Sequence, residues 1–323
     1  MMQPFDGMNF LTGEELSRTE LSVLLDQAEQ LRQRRGQKTI SPLKGKTIAL
    51  IFEKPSLRTR ISFTVGVQEL GGQVLELLGN QKKSEEPEDT VRVLQGMVHG
   101  LMLRTFEHSI LERMTKVAKI PIINGLSDDH HPCQALADLL TLRQRFGSLK
   151  GLKLAYVGDG NNVLHSLLLL APFVGVDVHY SCPDGYLPNP EILKRANHRA
   201  NEAGAQIQFF KKPSDAVKNC QAVYTDVWTS MGFEKENQRR IKALKPFKLD
   251  LQLFKQAKPD AIAMHCLPMI RDQEISSEVA DHPRSAVFQQ SENRLHVQKA
   301  LMMGLLSAQQ KVSNKRFEYS YVI

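Results

Sequence analysis

Residues 47–60 read TIALIFEKPSLRTR, and the change of pattern inside this stretch decides how the chain folds. Thr47 to Phe52 is a short, unbroken apolar run, as in a strand covered on both faces. From about Arg58 the apolar spacing turns helical and runs on to Gly71-Gly72, which close it. A buried strand feeding a helix is the unit of a parallel sheet, because parallel neighbours need a crossover. Working outward, the unit recurs. Upstream, Ser17-Arg-Thr-Glu20 reads as a capping box ahead of the helical stripe Leu21, Leu24, Leu25, Ala28 and Leu31. Downstream, apolar runs stand at Val74–Leu78, Leu101–Leu103 and Pro121–Ile123, followed by a helix over Pro132–Phe146. A second series then begins, with strands expected at Lys153–Val157, Asp177–Ser181, Ile207–Phe210, Ala222–Thr225 and Ala261–Met264. Helical segments such as Asn162–Val174 and Pro190–Gly204 separate them, and a last long helix runs from about Glu292 to Gln310.

The expected fold class is therefore α/β, with two doubly wound parallel-sheet domains, and 323 residues suffice for two. Gly147-Ser-Leu-Lys-Gly151 is the expected hinge. A charged fraction of 24% beside 41% hydrophobic residues excludes disordered and fibrous classes. No stretch approaches the roughly 20 apolar residues of a membrane span, so no membrane partner is expected. The opening Met-Met-Gln-Pro-Phe-Asp shows no basic region followed by an apolar one. Cys133, Cys182, Cys220 and Cys266 have neither C-x-x-C pairing nor zinc-like spacing. A reducing, cytoplasmic location is expected, with no metal and no cofactor. The net charge of +7 is spread along the chain and suits an anionic small substrate. Without a basic cluster interleaved with aromatics, no nucleic-acid partner is expected.

Ligands of open parallel sheets bind beyond the carboxyl ends of the strands, so the chemistry is sought there. Ser56-Leu-Arg-Thr-Arg60 opens a helix directly after a strand, where free amides and the helix dipole favour an anion. Ser56, Arg58 and Thr59 add donors on the same turn, although a solvated basic helix start would read the same way. Arg104 ends another apolar run. In His131-Pro-Cys-Gln134, Pro132 suits the first helical position, which puts His131 at the cap and Gln134 one turn on. Simple capping is the competing reading. Gly158-Asp-Gly-Asn-Asn162 lacks the third glycine of a dinucleotide fingerprint, since position 163 is Val163. Asp226-Val-Trp-Thr-Ser-Met-Gly232 offers Asp226 for an ammonium group and Ser230 for a carboxylate or amine. Cys266, in His265-Cys-Leu-Pro268, is either a nucleophile or a small buried filler.

Together and in this order, these motifs resemble those of the transcarbamoylases, and within that family those of its ornithine-using branch. Phe52–Arg60 is similar to the family's carbamoyl-phosphate motif, and His131–Thr141 to its second signature. Asp226–Gly232 and His265–Pro268 resemble the ornithine-specific signatures, and Gly158–Ser166 and Glu292–Arg294 complete the set. The resemblance runs from about Asn9 to Leu306. It implies a carbamoyl-phosphate domain over residues 1–146, completed by a C-terminal helix at 292–323, and an ornithine domain over 147–291. It also implies a homotrimer, or a multiple of trimers, with active sites at the subunit contacts.

Carried over by position, the resemblance implies that Ser56, Leu57, Arg58, Thr59 and Arg104 hold the phosphate end. Arg104, His131, Arg294 and Thr59 reach the carbonyl oxygen, and Gln134 holds the carbamoyl amide. Asn162, Asp226, Ser230 and Met231 hold the amino-acid end of L-ornithine. Cys266 lies beside the δ-amine, with the Leu267 carbonyl near the carbamoyl nitrogen. Leu57 stands where threonine is common, and the segment Asn80–Pro87 is shorter than usual, with Lys82 and Lys83 as its point charges. The implied reaction is carbamoyl transfer to an amine without a covalent intermediate. Rival readings are a carbamoyltransferase for putrescine or an acylated ornithine, and a non-catalytic sensor of either ligand.

Overall fold

The computed structural model describes residue 5 and residues 9–37, 41–78, 85–229 and 234–307. Two parallel sheets organise these residues. The first contains β1 (Thr47–Phe52), β2 (Gln73–Leu78), β3 (Gly100–Arg104) and β4 (Ile122–Leu126), in the order β2-β1-β3-β4. The second contains β5 (Lys153–Val157), β6 (Asp177–Ser181), β7 (Ile207–Phe209), β8 (Ala222–Thr225) and β9 (Ile262–His265), in the order β7-β6-β5-β8-β9. Every residue of β3 and all but the first of β1 are buried, as helices on both faces require.

The strand orders locate the site. In the first sheet the chain moves from β1 outward to β2 and then returns to the other side of β1 as β3. The second sheet repeats this, with β8 returning beside β5. Each reversal leaves a crevice where the connections diverge, and ligands enter α/β sheets there. Phe52 pairs with Arg104 across the first reversal, so the β1 loop and the end of β3 are neighbours. Across the second, Tyr156 pairs with Tyr224, which brings the Gly158–Asn162 loop beside Asp226.

Local chemistry fixes the helix starts that face these crevices. Ser56 caps Leu57–Glu69 by accepting from the Thr59 amide at 3.3 Å. Pro132 opens Pro132–Phe146, where a missing N–H removes nothing. Asn161, in extended backbone, caps Asn162–Leu170 by accepting from the Val163 and Leu164 amides. The capping box of Ser17 and Glu20 forms on Arg18–Gln33.

The last helix, Val287–Ser307, starts about one turn before the expected Glu292. It packs against Pro132–Phe146, Arg18–Gln33 and Leu57–Glu69, and so returns to the first domain. From Asn293 to Leu306 every residue is buried. A helix apolar or paired on all sides belongs inside a core and not on its surface. Its early part still touches the second sheet, because Gln290 Oε1 accepts from the His265 amide at 3.0 Å.

β4 runs three residues beyond the expected Ile123, through Asn124-Gly125. That dipeptide ordinarily signals a turn. Here the Asn124 amide is buried and donates to the Leu11 carbonyl at 2.8 Å, while Gly125 lets Met102 approach where a Cβ would stand 2.3 Å from its sulfur. Among the described residues, no helix is long and apolar enough to cross a membrane.

Candidate active site

A cavity of about 760 Å³ opens between the carboxyl ends of the two sheets. The first sheet and its helices line it with Ser56, Leu57, Arg58, Arg104 and His131. The second sheet contributes Asn162, Asp226, Cys266 and Leu267, and the last helix contributes Arg294. Thr59 and Gln134 are fully buried and are not part of the lining, Thr59 bonding to the lining residues Arg104 and Arg294 and Gln134 lying one turn after His131. Ser230 and Met231 lie outside the described residues, as do Lys82 and Lys83. Apart from Thr59 and Gln134, the expected residues that are described therefore line one space, reached from two sheets and a distant helix.

The cation cluster is the first feature of the site. Thr59 Oγ1 accepts from the Arg294 guanidinium at 2.6 Å and from that of Arg104 at 3.4 Å. Burial, and then the nearby Arg294 and Arg58, push the Arg104 guanidinium down to about 9. Burial likewise lowers Arg58 and Arg294. Among the described residues, none of these three arginines forms an ion pair with a carboxylate. Buried cations are normally paired, so a cluster without a counter-ion is built to receive an anion.

His131 caps its helix without a side-chain bond of its own, and its amide donates to Ser166 Oγ at 2.8 Å. Burial, with Arg294 and Arg104 close by, holds its imidazolium far below the ordinary range. The ring is therefore neutral, carries one N–H, and can donate without adding charge. Gln134 Nε2 donates to Asp138 Oδ1 at 2.9 Å, while its Oε1 has no partner in the protein.

On the opposite wall, Cys266 Sγ donates to Asp226 Oδ1 at 2.8 Å. Asn161 Nδ2 donates to the other Asp226 oxygen at 2.7 Å, and the Val227 amide donates to Oδ1 at 2.7 Å. Burial first, then Asp226, push the Cys266 thiol well above its usual range, so it is no thiolate nucleophile. Asn162 Nδ2 donates to the Ser127 carbonyl at 2.6 Å, a contact between the two lobes. Arg240 Nε donates to the Trp228 carbonyl at 2.6 Å, and its guanidinium pairs with Asp159. This clamp fixes the end of the Asp226–Thr229 segment. Trp228 is buried.

Asp226, His265 and Cys266 bring possible metal-ligand atoms within 4.8 Å of one another. Their donor atoms are already committed. His265 Nδ1 accepts from the Leu267 amide at 2.9 Å, its Nε2 faces Glu274 Oε1 at 3.1 Å, and the thiol stays protonated. The set fits a folded turn better than a cation.

Several residues of the site lay outside the sequence reading. Asp138 stands four residues after Gln134 on an otherwise apolar helix, and a lone carboxylate on that face was its signal. Asn161 sat in the quoted glycine-rich loop, where its neighbour Asn162 took the attention. Ser166 closes the Gly158–Ser166 motif but was given no role, whereas Gln290 and Arg240 had no local signal, because their partners lie on other elements.

Comparison with known proteins agrees with this geometry. Residues 8–144 match the family model described as aspartate/ornithine carbamoyltransferase, carbamoyl-P binding domain, and residues 150–305 match its Asp/Orn binding domain. The ornithine carbamoyltransferase of Anoxybacillus flavithermus is 48% identical over 305 residues, covering 93% of this chain and 97% of its own. That of Thermococcus kodakarensis is 45% identical over 306 residues, covering 94% and 97%. The solved structure of ornithine carbamoyltransferase from Pyrococcus furiosus matches with a TM-score of 0.90 at 42% identity, covering 94% of this chain and 98% of that one. With both halves matched in order and the cavity lying between them, the chain belongs to the aspartate/ornithine carbamoyltransferase family.

Proposed function

We propose that this chain transfers the carbamoyl group of carbamoyl phosphate to the δ-amine of L-ornithine, giving L-citrulline and phosphate. The observation that carries the reading is the charge arrangement of the cavity. Arg58, Arg104 and Arg294 gather without a carboxylate partner among the described residues, while Asp226 stands on the second-sheet wall. An anionic leaving group fits the first and an ammonium the second. The names of the relatives and of the two matched domains support the choice of substrates.

In this reading Ser56, the first amides of Leu57–Glu69, Arg58, Thr59 and Arg104 hold the phosphate. The neutral δ-amine attacks the carbonyl carbon, and negative charge grows on the carbonyl oxygen. Arg104, Arg294, His131 and the Thr59 hydroxyl donate to that oxygen, each worth on the order of 3 kcal/mol in the transition state. The C–O bond to phosphate then breaks, and the phosphate takes the amine's proton as it leaves. Gln134 Oε1 and the Leu267 carbonyl hold the carbamoyl N–H groups. Asn162, Asp226, Ser230 and Met231 hold the α-amino acid end, and Cys266 borders the δ-amine. A free alkyl ammonium has a pKa of about 10.4, and its removal from water on domain closure favours the attacking form.

No covalent intermediate and no cofactor enter this scheme. We also propose a homotrimer or a multiple of it. Leu57 (68% exposed) and Ile61 (52%) sit one turn apart beside the phosphate end, and an apolar pair there suits a subunit contact.

The test is a steady-state assay of citrulline formation by the pure protein, with ornithine, putrescine and Nα-acetylornithine as acceptors. Ornithine should be preferred by at least about 100-fold, because an acceptor without the free α-amino acid group forfeits the contacts proposed for Asn162, Asp226, Ser230 and Met231. Equal rates with putrescine, or no product from ornithine, would overturn the reading.

A further inference from the structure

We infer that Asp138 and Gln290 are positioning residues which set the polarity of the Gln134 amide, so that its oxygen and not its nitrogen meets the carbamoyl group. The inference rests on the function proposed above. A glutamine amide is nearly symmetric in shape, with a donor end and an acceptor end. The –NH₂ of carbamoyl phosphate has only N–H bonds to offer at such a contact. Gln134 must therefore present oxygen, and something must prevent it from turning over.

The structure supplies a chain of one-way bonds that does this. It begins at the His265 amide, which can only donate and which donates to Gln290 Oε1 at 3.0 Å. Gln290 must then turn its nitrogen the other way. That nitrogen donates to Asp138 Oδ1 at 2.6 Å and to the Tyr224 hydroxyl at 2.9 Å. Asp138 Oδ1 is thereby used as an acceptor, and it accepts a second bond from Gln134 Nε2 at 2.9 Å. Two atoms of the chain are left buried and without a partner in the protein, Asp138 Oδ2 and Gln134 Oε1, and Gln134 Oε1 is the one at the end nearest His131. Gln134, Asp138, Gln290, Tyr224 and His265 are all fully buried, so water does not compete for these bonds.

The chain crosses between the domains. His265 ends β9, immediately before Cys266, whereas Gln134 and Asp138 lie on the helix that begins beside His131. Gln290 bridges them from the last helix, one turn before Arg294. The strand that presents Cys266 thus also fixes the group that orients the carbamoyl nitrogen.

The experiment compares Asp138→Leu, Asp138→Asn and Gln290→Met in the full-length chain, with KM for each substrate and kcat from citrulline formation. Asp138→Leu removes the acceptor, and KM for carbamoyl phosphate should rise about 10-fold or more while KM for ornithine stays within about twofold. Asp138→Asn keeps Oδ1 and should return KM for carbamoyl phosphate to within about threefold of the parent chain. Gln290→Met preserves volume but cuts the link to His265, and should shift the same constant in the same direction. If Asp138→Leu does not fold, Gln290→Met decides. An unchanged KM for carbamoyl phosphate in a folded Asp138→Leu or Gln290→Met, or an Asp138→Asn as impaired as Asp138→Leu, would overturn the inference. Failure of the parent chain to make citrulline would instead remove the function on which it rests.

Discussion

Arg294 donates to Thr59 Oγ1 over 2.6 Å from a position 235 residues further along the chain. The hydroxyl also receives Arg104, so one oxygen spaces two guanidinium groups that repel each other. Its own proton is left to donate. Thr59→Val keeps the shape and deletes this oxygen, leaving two buried cations without their shared acceptor. We expect kcat to fall about 100-fold and stability to drop by about 1–3 kcal/mol. Steady-state turnover and chemical denaturation of the variant check both, and a variant with normal kcat would remove Thr59 from the carbonyl-oxygen site.

Cys266 donates a hydrogen bond to Asp226, and in the proposed reaction it is not a nucleophile. Its thiol is buried and faces a carboxylate, and both effects keep the proton on sulfur. Cys266→Ala should therefore reduce turnover and weaken ornithine binding without abolishing the reaction. Iodoacetamide should alkylate Cys266 at pH 8 far more slowly than a free thiol. Trapping of a covalent carbamoyl adduct on Cys266 by mass spectrometry would refute this role.

The strands were readable because a buried parallel strand is an apolar run, and β1, β5, β6 and β8 fall where the pattern placed them. β4 ran past its expected end because tertiary packing around Asn124 and Gly125 overrode a turn signal. In the site, residues that follow strands were readable from position alone. The residues behind them were not. Gln290 owes its role to His265, Asp138 and Tyr224, which three different elements bring together. Arg240 likewise meets Asp159 and Trp228 only after folding.

Arg58 lines the cavity and is half-buried, with its charge disfavoured by loss of water. A guanidinium can grip two phosphate oxygens at once, and an ammonium cannot. Arg58→Lys should raise KM for carbamoyl phosphate about 10-fold and leave KM for ornithine nearly unchanged. Initial-rate kinetics with each substrate varied in turn decide this. If ornithine affinity alone changed, the two walls of the cavity would have to exchange their assignments.

Stability should fall steeply on mild acidification. His108, His130, His131, His165 and His179 all have their charged forms disfavoured chiefly by burial, and His130 is lowered from 6.5 to about 2. Below pH 6.5 the unfolded chain takes up protons on these rings that the folded chain refuses. The unfolded state then binds more protons, so stability present above 6.5 is lost as pH falls towards the lower folded values. Asp138 and Asp159 act in the opposite sense, since burial raises them to about 7 and about 6 and folding then favours their protonated forms. With His296, which burial lowers to about 4, six rings outweigh two carboxyls between pH 6.5 and 5. His130 makes a clean test, because its ring stands edge-on to His108 at 4.8 Å and its Nδ1 has no partner. His130→Phe should keep that ring contact and flatten the slope of unfolding free energy against pH by up to about 1.4 kcal/mol per pH unit. Urea unfolding at pH 7.5, 6.5 and 5.5 measures the slope, and identical slopes in parent and variant would show that His130 takes up its proton in the folded protein as readily as in the unfolded one.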